Sequence, residues 1–61
     1  MAQLSDKELA ALKELLSEEE LLVKKFQMLA EHADNSEVKS KMLEISKKHQ
    51  NHFDMLYKKL A

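Results

Sequence analysis

Residues 21–43 read LLVKKFQMLAEHADNSEVKSKML, and the fold turns on the four residues Ala33-Asp34-Asn35-Ser36 inside that stretch. Ahead of them, Val23, Phe26, Ala30 and Ala33 are spaced 3, 4 and 3 apart, the interval that returns a side chain to one face of an α-helix. Behind them, Val38, Met42 and Ile45 resume the pattern with steps of 4 and 3. The four residues between belong to the types that cap helices and make turns, and Asp34 with Glu37 has the spacing of a capping box. Two helices joined by so short a connection are antiparallel neighbours.

Toward the N-terminus the first stripe continues back through Leu16, Leu12 and Leu9, with Leu15, Leu22 and Leu29 widening it on one side. Ser5 followed by Glu8 is a second capping-box spacing and marks the start of the first helix. The second stripe runs on through His49, His52, Leu56 and Leu60, with Phe53 and Met55 at its edges. The expectation is one all-α unit over 1–61: helix 1 at about 5–33, a turn at 34–36 and helix 2 at about 36–60.

Composition narrows the function. The 61 residues contain no Gly, Pro or Cys, and ten Lys face eleven acids for a net charge of −1. Without Gly and Pro, phosphate-cradling loops, tight hairpins and a hydrolase nucleophile elbow are not expected. Without Cys there is no disulfide, thiolate metal site or thiol nucleophile. Near-neutral charge and few aromatics argue against nucleic acid as a partner. The longest apolar run is four residues, Leu9 to Leu12, far from the roughly 20 that span a membrane. Residues 1–22 carry too many charges for a signal peptide, so an intracellular protein is expected. The charge is divided unevenly: residues 1–33 sum to −3 and residues 34–61 to +2.

A chain this short buries only about 60% of its unfolded surface. One hairpin would also leave much of both apolar stripes in water. Two hairpins docked face to face would cover them, so the reading is a homodimer forming a four-helix bundle.

Three polar residues interrupt the stripes. The step of seven from Leu16 to Val23 omits one member, and Glu19 falls in that place. On helix 2, His49 lies near the centre of the stripe and His52 toward one side of it. Counting from the turn at about 1.5 Å per residue, Glu19, His49 and His52 all lie at a height of about 23 Å. A carboxylate in an apolar seam is costly unless paired or bound to metal. Two readings follow: a hydrogen-bonded Glu/His network, or a divalent metal site with Glu19, His49 and His52 as ligands. Such a donor set suits Zn, Fe or Mn better than Ca.

Glu19 followed by Phe26, Ala30 and Ala33 resembles the first helix of a ferritin-like half-bundle of the rubrerythrin type. Where the second helix of that family carries Glu-x-x-His, this chain has His49-Gln50-Asn51-His52. More narrowly, the sequence resembles short spore coat proteins related to the coat protein F family of endospore-forming Firmicutes. The shared features are Leu-Ser-x-x-Glu-Leu (Leu4 to Leu9), the Glu run followed by Leu-Leu-Val-Lys-Lys, and Lys-His-x-x-His-Phe (Lys48 to Phe53). The resemblance implies a ferritin-like bundle, a place in the spore coat and other coat proteins as partners. It also implies a difference in chemistry. The ferritin-like di-iron site gathers four carboxylates and two histidines, whereas two copies of this chain would gather two carboxylates and four histidines. Fewer bridging carboxylates disfavour oxidoreductase chemistry of the di-iron type.

Three functions fit these features. The leading one is a non-enzymatic structural protein of the spore-coat kind. The others are a metal-binding protein with its Glu/His site at the dimer core, and a helical adaptor for another protein.

Overall fold

The computed structural model describes residues 3–60. The chain forms α1 (Asp6–His32) and α2 (Ser36–Tyr57), and a single 3-10 turn (Lys58–Leu60) closes the second helix. No strand occurs among the described residues. The two helices pack along their lengths as an antiparallel hairpin, 46 × 17 × 11 Å in extent. Its thickness is that of one helix, so the hairpin is a single layer.

The start of α1 is built as its sequence predicts. Ser5 is extended (ψ 165°), its hydroxyl accepts from the Glu8 N–H at 3.1 Å, and the Glu8 carboxylate accepts from the Ser5 N–H at 2.9 Å. These bonds hold the Glu8 carboxyl below its ordinary value of 4.5, the Ser5 backbone N–H contributing most and the Ser5 side chain next. A carboxyl with a lowered folded value stabilises above its unfolded value, and the gain is lost as pH falls through the folded one.

The turn differs from expectation by one residue. Asn35, not Asp34, caps α2: its side-chain oxygen accepts from Glu37 N–H at 2.8 Å and Val38 N–H at 3.1 Å. Reversal of the chain needs extended backbone at both Ala33 (ψ 127°) and Asn35 (ψ 128°). The helical conformation therefore starts only at Ser36, which leaves Asp34 one position too early to cap. No described residue takes a positive φ, so this reversal is made without the conformation that calls for glycine.

Among the described residues four apolar ones are buried, Leu12, Leu16, Val23 and Ala30, and all lie on the predicted face of α1. On α2 the face is rotated from the predicted one. Phe53, expected at the edge, is half-buried against α1, while Val38 and Leu60, expected in the stripe, are exposed. Ser46, absent from the apolar series, is the one buried polar residue among those described. Its hydroxyl donates to the Val23 carbonyl of α1 at 3.2 Å. Small side chains at Ser46 and Ala30 let the two backbones approach. The apolar arc of α2 is wider than one neighbour can cover, and α1 covers the part centred on Met42, Ser46, His49 and Phe53.

Two mutations test this account. Asn35→Ala is expected to cost about 1 kcal/mol in denaturant unfolding and Asp34→Ala close to nothing. Ala30→Leu places a large side chain where the helices meet, and is expected to cost about 1–3 kcal/mol.

Candidate metal centre

Glu19 lies midway along α1, at the position where the apolar series skips. Its neighbours Glu18 and Glu20 are turned to either side and exposed, as their offset of about 100° requires. The Glu19 side chain retains only 16% of its surface exposure. Such a carboxylate needs partners, and α2 supplies both. His49 Nδ1 donates to Glu19 Oε1 at 2.5 Å. His52 Nδ1 approaches Oε2 to 3.2 Å. His49 is half-buried in the seam and His52 sits at its rim, with side-chain exposures of 23% and 54%.

Ring packing fixes the inner histidine. Phe26, two turns after Glu19 on α1, stacks on His49 with centroids 5.8 Å apart and planes within 13°. His52 meets His49 edge-on at 5.6 Å. With Phe26 on its face and Glu19 on its Nδ1 edge, His49 is held on two sides. The sequence places Phe26 on the interhelix face, but its stacking on the site follows only from how deeply the two helices interlock.

The three residues expected in one layer are thus brought together by the fold. One ligand atom from each of Glu19, His49 and His52 lies within 4.8 Å of the others. Around a tetrahedral zinc with bonds of 2.0–2.2 Å, neighbouring ligand atoms are about 3.3–3.6 Å apart. Admitting an ion would widen the 2.5 Å Glu19–His49 contact by about 1 Å and draw together ligand atoms that lie up to 4.8 Å apart. Two imidazoles and one carboxylate are a set that first-row divalent ions accept, with a further position open. Without metal, the same atoms make a satisfied hydrogen-bonded group, and no buried side-chain N or O lacks a partner among the described residues.

Comparison with protein-family models, with curated proteins and with solved structures finds no match to this chain. No helix among the described residues is long and apolar enough to cross a membrane.

A double-mutant cycle measures the pairing. Glu19→Leu and His49→Leu singly each leave a polar partner stranded in the seam, and both are expected to destabilise the metal-free protein. The double variant replaces the pair by hydrocarbon and is expected to regain stability, with a coupling of about 0.5–3 kcal/mol between the sites.

Proposed function

We propose that this protein is a non-enzymatic structural hairpin that pairs with a second copy into a four-helix bundle, and that Glu19, His49 and His52 bind a divalent metal inside it. The observation that carries the reading is where the cluster lies. Because Glu19 touches His52 as well as His49, the Glu19 edge of α1 and the His52 edge of α2 border the same flat side of the hairpin. On that side α1 presents Leu15 and Leu29, which are 45% and 41% exposed, and α2 presents Val38, 48% exposed. The half-buried Leu22 and Ile45 lie between. The cluster sits at the middle of this apolar side.

A single layer cannot bury such a side by itself. A second hairpin laid on it would supply the missing half of the core and shut the metal position off from bulk water. That arrangement leaves no cleft for a substrate, which favours a structural role for the ion over catalysis. The ligand count supports the same view, since one carboxylate per chain gives little bridging for a redox-active metal pair. The resemblance to short coat proteins is the support for placing the assembly in the spore coat, with other coat proteins as its neighbours. A fluorescent fusion that decorates the developing spore would agree with that placement, and a diffuse signal would oppose it.

Light scattering and elemental analysis on one sample test the rest. The expected mass is twice that of the 7.1 kDa chain, with zinc, iron or manganese retained after purification without chelator. Glu19→Gln and His49→Ala are each expected to weaken zinc binding by more than about tenfold, the loss that even an outer-shell partner can cause. A monomer at tens of micromolar would favour the adaptor reading instead. A dimer that takes up no zinc would leave the cluster as a hydrogen-bonded core group.

A further inference from the structure

We infer that the two copies pair with their turns at the same end of the bundle, so that each α1 lies beside the partner's α2. This rests on the dimer proposed above and specifies its geometry. A two-fold axis can relate two stacked hairpins in two ways. Parallel to the helices, it sets α1 over the partner's α2 and keeps every residue at its own height. Perpendicular to them, it sets α1 over the partner's α1 and puts the turns at opposite ends, as in a ferritin-like bundle with its long crossover.

Charge separates the two. The residues through the first helix sum to −3 and those through the second to +2. Same-end pairing flanks every helix by helices of opposite charge. Opposite-end pairing sets each helix against its own copy.

Individual residues agree. Lys25 and Glu18 flank the apolar side on α1, and Glu44 and Lys48 flank it on α2; all four are exposed. Lys25 and Glu44 are equidistant from the turn, at about 14 Å. Glu18 and Lys48 lie at about 25 and 20 Å, within reach of long side chains. Same-end pairing therefore makes two opposite-charge contacts per copy, against one like-charge approach of Lys41, at about 10 Å, to the partner's Lys25. Glu44 also meets Lys41 of its own helix at 3.5 Å, an exposed pair that leaves carboxylate oxygen free for a second cation. Lys59 falls between Glu14 and Lys7 in height and favours neither arrangement.

With the axis through the Glu19 layer, opposite-end pairing brings Glu18 toward the partner's Glu18 and Lys48 toward the partner's Lys48. It also sets Lys41 opposite the partner's Lys59. Its favourable contacts are Glu14 with Lys25 and, less closely matched in height, Glu44 with Lys59. Same-end pairing further places the exposed His52, at a height of about 26 Å, over the partner's Glu18-Glu19-Glu20 run. There the rim histidine would face carboxylates of both copies.

The chain has no cysteine, so a spin label at Ser36→Cys is the sole label on each copy. Double electron–electron resonance on the full chain, with mass measured on the same sample, decides the arrangement. Same-end pairing predicts a label separation of roughly 10–25 Å, from adjacent and diagonal helix spacings. Opposite-end pairing predicts a separation near the 46 Å length of the hairpin, and that result with a dimeric mass would overturn this inference while leaving the dimer standing. A monomeric mass without dipolar signal would overturn both. Charge reversal gives a second reading: Lys25→Glu should raise the dimer Kd roughly 2- to 30-fold at low salt, from two pairs per dimer, and adding Glu44→Lys should restore it. Failure of the second change to rescue the first counts against the Lys25–Glu44 contact and so against same-end pairing.

Discussion

A carboxylate set in the seam between two helices has to be given partners, and Glu19 organises much of this structure for that reason. Its two oxygens face His49 and His52 on the opposite helix. The apolar contacts of a two-helix layer are forgiving, because a shift of one helical turn replaces one leucine contact by another. The Glu/His contact is not forgiving. Sliding α2 by one turn, about 5.4 Å, would strand a largely buried carboxylate. The cluster thereby fixes the height at which the helices meet, and Phe26 against His49 fixes how the rings are turned. Ser46 bonded to the Val23 carbonyl marks the same register lower in the seam.

The second constraint is thickness. Each helix has apolar residues over a wider arc than its neighbour covers, and a layer one helix thick has no second neighbour to offer. The leucines beside Glu19 on α1 and the Val38 edge of α2 are left facing outward on one side. The polar cluster interrupts that side at its middle. A structural assembly and a metal site are therefore not rival explanations of separate features. The cluster would supply register and the apolar side would supply the association.

Much of this is legible in the residues. The missing member between Leu16 and Val23 pointed to Glu19, and equal distances from the turn pointed to His49 and His52, since an antiparallel hairpin makes height a matter of counting. The Asp34–Glu37 capping box did not form, because spacing alone does not tell which residue must be extended for the chain to reverse. Phe53 lies deeper than its edge position suggests, and Ser46 is buried although no apolar spacing marks it, for a different reason. Apolarity locates the centre of a helix's whole apolar arc, whereas a single neighbour packs where side chains are small enough for close approach. Ser46 is such a place, and its hydroxyl has a carbonyl waiting across the seam.

Taken alone, the sequence determined two helices, their connection, their antiparallel sense and the layer in which Glu19 meets histidine. All of these follow from local caps, a constant rise per residue and the repeat of the helix. Only the tertiary structure decided that Asn35 caps the second helix, which half of α2 faces α1, and that His49 is enclosed while His52 stays at the rim. Those depend on interhelical distance and rotation. Both are set by side-chain volumes meeting across the seam, which periodicity does not record.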